Sequence, residues 1–314
     1  MWKRVAFLSL LLVLPLHAQE QPVPQWAQVE AVEVKARPGP AVWHLTRGNS
    51  EVWILGTVGQ MPKDLDWNKQ YLSELLDGTN AIILPPKADV SLVDVGWFLL
   101  MHGGELSLPR GQTLEASLAE PLRGRFVAIR DAVGSDASDY ATDIPIRAAI
   151  RLQQDLMRKT SLTGREPNDT IASLARSKRI ANAPVTHFAA MDAVRDILKL
   201  DPGQQRACLS EAVDDTAWSL AHADKAARAW AVGDVKGVKA NYADSRLGNC
   251  VMAAVGAFAD IETRNIADYT AAIDAALNRP GKTIAVIGMR PLLKRGGVLE
   301  RLGAMHVAIE APAE

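Results

Sequence analysis

Cysteine is nearly absent from this chain: Cys208 and Cys250 are the only two among 314 residues. Histidine is scarce as well, and beyond the first eighteen residues only His44, His102, His187, His222 and His306 remain. Neither charge forms a run, and 35 Lys and Arg stand against 36 Asp and Glu. This balance excludes a nucleic-acid footprint and a polybasic membrane patch. Past the N-terminus no stretch is long and apolar enough to span a bilayer. There is no Gly-x-Ser-x-Gly elbow of a serine hydrolase and no phosphate-binding P-loop. Gly281 and Gly288 read as turn glycines without a dinucleotide fingerprint. Low-complexity tracts and interdomain linkers are also missing.

What is present begins with an export signal. Lys3 and Arg4 precede an apolar run from Val5 to Leu16, and Leu16 and Ala18 fit the positions before a cleavage site. Residues 1–18 therefore read as a signal peptide cleaved after Ala18, the alternative being an uncleaved anchor. The expected location is periplasmic or secreted. In that setting an even pair of cysteines reads as a Cys208–Cys250 disulfide, ahead of a metal site or a nucleophile. Residues 19–40, with Pro22, Pro24, Pro38 and Pro40, read as an extended lead-in. The rest, at 48% hydrophobic residues overall, is long enough to bury a large core.

The chain is organised around two similar stretches. Val52 to Leu55 is an apolar run broken by Gly56, with Thr57, Val58 and Gly59 following. Thr283 to Ile287 is a second run, closed by Gly288 and followed by Met289, Arg290 and Pro291. Both read as buried strands ending in glycine turns that face one mouth of a sheet. Ala41 to Leu45 and Glu51 to Leu55 read as a hairpin. A helix is expected from Pro62, with Trp67, Tyr71, Leu75 and Leu76 on its apolar face and Gly78 closing it. Ala81 to Leu84 is the next strand, stopped by Pro85 and Pro86, which completes a strand–helix–strand unit.

The middle, about 105–280, reads as helical. Thr113 is an expected N-cap, and a helix is expected from Pro145 to about Lys159. A strand is read over Ala183 to Phe188. Further helices are read after Asp201, with Leu209, Val213, Leu220 and Ala221 on one face, over Ala223 to Val232, and over Val251 to Asn278. A final strand is read at His306 to Ile309. Trp43, Trp53, Trp67, Trp97, Trp218 and Trp230 fall on apolar positions and read as core. The sum is one α/β domain over 41–314, with a mixed sheet, a strand–glycine turn–helix unit at each end and a helical insertion.

Several motifs in order carry a resemblance. They are Leu-Gly-Thr-Val at 55 to 58 with Pro62, Leu-Pro-x-Gly-x-Thr-Leu at 108 to 114, and Ala229-Trp230-Ala231-Val232-Gly233-Asp234. Arg264-Asn265, Ala285-Val286-Ile287-Gly288 and Gly297-Val298-Leu299 follow. The sequence resembles the TraB/GumN family, to which the Tiki metalloproteases are similar, from about Trp43 to Ile309. The resemblance implies a divalent metal such as zinc, held by two Gly-x-x-His turns and by glutamates at strand ends.

The positions that the resemblance assigns to ligands hold none. Gly56 matches the first turn, but Gly59 stands at its histidine position; Gly288 matches the second, but Pro291 stands there. Pro85 replaces a glutamate after Ile82-Ile83-Leu84, and Ala189 replaces one after Pro184-Val185. A catalytic zinc needs about three N, S or O ligands and one open position, and these side chains have no lone pair. The expectation is a pseudoenzyme with no catalytic residue and no metal, binding an unknown protein, peptide or small molecule. His187 and Arg290 are its candidate cleft residues, with Lys63, Lys87 and Lys294 near Arg290 in sequence. The alternative is a metal-dependent hydrolase or peptidase with relocated ligands around His187 or His102, the latter beside Glu105.

Overall fold

A computed structural model describes residues 32–34, 39–89, 91–255 and 260–312. The signal-peptide reading lies outside these residues. The strands are β1 (Val32–Val34), β2 (Val42–Arg47), β3 (Ser50–Thr57), β4 (Met61–Pro62), β5 (Thr79–Leu84) and β6 (Lys87–Asp89). They continue as β7 (Leu162–Thr163), β8 (Ala181–Pro184), β9 (His187–Ala189), β10 (Gly281–Gly288) and β11 (Ala308–Pro312). The helices of the first half are α1 (Lys69–Leu75), α2 (Leu92–His102), α3 (Leu114–Ser117), α4 (Leu122–Ala132), α5 (Ala137–Tyr140), α6 (Pro145–Lys159) and α7 (Asn168–Ser177). Those of the second are α8 (Ala190–Leu198), α9 (Pro202–Ala231), α10 (Val235–Asn241), α11 (Arg246–Ala254), α12 (Ile261–Leu277), α13 (Met289–Leu293) and α14 (Val298–Ala304).

Seven strands form one mixed sheet in the order β1-β11-β2-β3-β10-β5-β8. Strand β2 runs antiparallel to β3 and β11, and β3, β10, β5 and β8 run parallel to one another. The sheet is α/β and mixed, as the pattern predicts. The strand–helix–strand unit is present as β3, α1 and β5, but β10 from the far end of the chain lies between its two strands. Part of the lead-in joins the sheet, since β1 pairs with β11.

Local chemistry sets the boundaries. Pro145 opens α6, which ends at Lys159, and Thr113 accepts a hydrogen bond from the Ala116 amide. Helix α1 starts later than Pro62 predicts, because Met61 and Pro62 pair with β7 and Asn68 caps the helix through the Tyr71 amide. Gly78 sits at φ +73°, where a side chain would be strained. The expected strand over Ala183 to Phe188 is divided into β8 and β9, and β9 pairs with β6 in a separate two-stranded ladder. The expected helix over Val251 to Asn278 falls in α11 and α12, with 256–259 outside the described residues.

The buried apolar side chains form two clusters. One surrounds the sheet, with Trp43, Ile54, Leu72, Ile284, Trp230 and Tyr269; the other lies within the insertion, with Phe126, Tyr140, Leu152, Leu209 and Val213. Two helices were expected over 202–232; the protein has one, α9, 30 residues long. The N-terminal half of α9 enters the insertion core and its C-terminal half enters the sheet core. No Gly or Pro interrupts 204–231, so nothing ends the helix between the two. Cys208 and Cys250 form the disulfide, fastening α9 to α11. No described helix is long and apolar enough to cross a membrane.

Candidate functional site

The carboxyl ends of β3, β10, β5 and β8 make one edge of the sheet. Gly288 of β10 is in register with Thr57 of β3, and Leu84 of β5 with Pro184 of β8. Gly59, Pro291 and Pro85 each follow one of these ends by three residues or fewer, and Ala189 ends β9, just beyond β8. At about 4.8 Å per strand, β3 to β8 spans roughly 14 Å. The sheet therefore brings the two glycine turns to one mouth, as their sequence predicts.

Gly56 and Gly59 play opposite parts in the first turn. A Cβ on Gly56 would meet Met289 Sδ at 2.7 Å and the Trp43 ring at 2.8 Å, so close packing at the strand end requires glycine. The Gly56 carbonyl accepts a 2.6 Å hydrogen bond from Trp230 Nε1, which ties α9 to this edge. Trp230 is fully buried and packs edge-on against Trp67, 5.2 Å between centroids. A Cβ on Gly59, by contrast, meets nothing within 4 Å. Its turn opens on a cavity of about 230 Å³ walled by α9, Gln153 of α6 and the loop from Asn241 to Ser245.

The cavity wall mixes aromatic and polar groups. Trp218 stacks on His222 at 3.8 Å, and His222 Nδ1 contacts Asn241 Oδ1 at 3.0 Å. The Trp218 Nε1–H is buried with no hydrogen-bond partner. Burial pushes the Tyr242 phenol up to about 12. Burial also raises Asp215, partly offset by the amides of Leu247 and Arg246, both 2.9 Å away, and by the Ser245 hydroxyl at 3.0 Å. Those three donors occupy the Asp215 carboxylate in capping α11.

Arg290, expected to face the cleft, stands behind Asp244 of this wall. Its Nε lies 2.5 Å from Asp244 Oδ1 and its Nη1 lies 3.0 Å from Glu262 Oε1. The nitrogen is close but its N–H is not aligned as a hydrogen bond, so the contact is an ion pair. Lys294 Nζ lies 3.1 Å from Glu262 Oε2. Two cations thus face two carboxylates, and no net positive charge is left for an anion.

The other candidates lie apart from the cavity. His187 Nδ1 is 3.1 Å from Asp89 Oδ1, an exposed pair on the β6–β9 ladder. His102 Nδ1 pairs with Glu105 at 2.9 Å, also at the surface. Among the described residues no three His, Cys, Asp or Glu side chains converge where a metal ion would sit. Gln153, Asp215, Tyr242 and Asp244 were not singled out from the sequence, and Trp218, read as core, is a half-buried residue of the cavity wall instead. Ser245, an N-cap residue accepting from the Gly248 amide, is the one local signal beside them.

Residues 41–311 match the model of the TraB/PrgY/gumN family. The chain belongs to this family. The match covers nearly all of the chain beyond the lead-in and includes both glycine turns and the whole insertion. No curated protein matches the chain. The metal implied by the TraB/GumN resemblance finds no fitting donor set among the described residues: the positions that the resemblance assigns to its ligands, 59, 85, 189 and 291, hold Gly, Pro, Ala and Pro, Asp215 is occupied by the α11 amides, and Asp244 is paired with Arg290.

Proposed function

We propose that this TraB/PrgY/gumN family protein is an exported, non-catalytic binding or regulatory protein of the cell envelope. Its ligand, a small molecule or a side chain of a peptide, occupies the cavity beside Gly59. The observation that carries this reading is Gly59 itself. The position at which the family resemblance expects a metal-binding histidine has no side chain and opens into the cavity. At about 230 Å³ the space is smaller than the roughly 300–1,000 Å³ pockets of drug-sized ligands. Without about three donors on one ion, no group lowers the pKa of a bound water toward neutrality. Export is supported by the N-terminal sequence pattern and the disulfide.

A hydrolase with relocated ligands would have to be built on His187 with Asp89, or on His102 with Glu105. Each is a pair, one donor short of the usual protein set. The test is elemental analysis and zinc, manganese and cobalt titration of the purified protein. The same measurements are made on a Gly59→His, Pro85→Glu, Ala189→Glu, Pro291→His variant. The natural protein is expected to hold no stoichiometric metal and the variant to gain divalent-ion binding. Stoichiometric metal in the unsubstituted protein, lost on His187→Ala or His102→Ala, overturns the proposal.

A further inference from the structure

Helix α2 carries four of the eight large apolar side chains that are exposed among the described residues. Val93, Trp97, Leu100 and Met101 are 79%, 63%, 75% and 57% exposed. Their spacing of four, three and one places all four on one stripe of the helix. Phe98, at 7% exposed, lies about 110° round the helix from the middle of the stripe and turns that flank toward the protein. The stripe is therefore the outer face of a docked helix rather than a core face left over by the sequence pattern.

Two further observations bear on what covers it. From Leu92 to His102 the helix holds no Lys or Arg, and its one carboxylate is Asp94. Helices that lie in a membrane surface carry basic residues on their polar face, so the charge pattern argues against lipid. The second is area. At the usual burial areas of aliphatic and Trp side chains, the exposed parts amount to roughly 350 Å² of apolar surface. Duplicated across a two-fold axis that is about 700 Å². A two-fold contact about 65% apolar that held this surface would bury about 1,100 Å² in all, the size of a weak, reversible interface. Gly96 flanks the stripe beside Val93 and Leu100, and a Cβ there meets nothing within 4 Å, so the helix has a notch along one side of the stripe.

We propose that α2 is the contact by which two copies of this chain associate, packed antiparallel across a two-fold axis. The Trp97 ring of each copy is received at the Gly96 notch of the other. Antiparallel packing sets the two helix dipoles head to tail, and an isologous contact closes at two subunits. Because α2 follows directly from the strand end at Pro85 through β6, the dimer joins two copies at the edge that carries the candidate cleft. The inference stands independently of whether that cleft binds a ligand.

The experiment is sedimentation equilibrium of the purified protein over a concentration series, beside Trp97→Glu and, as a milder change, Leu100→Ser. Circular dichroism melting checks that each variant is folded, and flotation with phosphatidylcholine and phosphatidylglycerol vesicles runs in parallel. The natural protein is expected to dimerise reversibly without floating. Each folded variant is expected to weaken the dimer by about 30-fold or more, the loss of a central apolar anchor. A natural protein that stays monomeric throughout overturns the proposal, as does a folded Trp97→Glu or Leu100→Ser variant that dimerises unchanged. Flotation of a monomer, abolished by the same changes, overturns it in favour of a membrane.

Discussion

Replacing Tyr140 by Phe probes the insertion that walls the candidate cleft. Asp155 of α6 is only 3% exposed, and it accepts from the Tyr140 hydroxyl at 2.5 Å and from Ser135 Oγ at 2.7 Å. Arg158 pairs with its other oxygen. Burial pushes this carboxyl up, but the Tyr140, Ser135 and Arg158 contacts more than reverse it, and its pKa ends below the ordinary 3.8. Tyr140→Phe keeps the ring, which packs edge-on against Phe126 at 5.3 Å, and deletes one hydrogen bond to a buried carboxylate. Hydrogen bonds to charged groups contribute about 1.5–3 kcal/mol, so urea unfolding near neutral pH should show a loss of that size with an unchanged m-value. A carboxyl whose folded pKa is depressed adds stability that is present above its unfolded value and is lost as pH falls through the folded one. The gap between natural protein and variant should therefore hold above the ordinary carboxylate range and narrow on acidification below 3.8. A gap under about 0.5 kcal/mol near neutrality, the size of an ordinary surface substitution, would refute the role given to this hydrogen bond. So would one that does not change with acid.

The two glycines of the first turn should respond in opposite ways. Gly56→Ala drives a Cβ against Met289 Sδ and the Trp43 ring and should cost about 1–3 kcal/mol by overpacking, whereas Gly59→Ala enters open space and should change stability by no more than about 0.5 kcal/mol; equal losses in a thermal melt would contradict the packing described. Reducing the Cys208–Cys250 disulfide, which spans 42 residues, should lower stability in urea by roughly 4 kcal/mol on the chain-entropy model. A reduced protein as stable as the oxidised one would mean that the loop is already ordered in the unfolded chain.

Some of this protein could be read from local chemistry alone. Apolar runs ending in Gly56 and Gly288 mark buried strands because only glycine tolerates the close approach of Met289 or opens the turn. Pro145 and Lys159 bound α6 because proline supplies the first helical φ and lacks only an orphan N–H. The cysteine pairing followed from there being only two. The family membership was carried by motifs at both ends of the chain, each short enough to survive as a local pattern.

Tertiary structure alone decided the rest. That β10 slides between β3 and β5 depends on pairing between segments more than 200 residues apart, as in Ser50 with Gly281, for which neither sequence carries a label. Helix α9 was read as two because its apolar face changes partners midway, from the insertion core to the sheet core, without a helix breaker. Trp97 was read as core because an apolar helical stripe has the same spacing whether its own chain or another covers it. Arg290 was read as a cleft residue since Asp244 and Glu262, which pair with it, come from other parts of the chain. Likewise the cavity at Gly59 is walled by the insertion, whose helix α9 is tied to the sheet edge by Trp230. A sequence records which side chain is missing at a position; only packing determines whether the space it leaves is filled, and at Gly59 it is not.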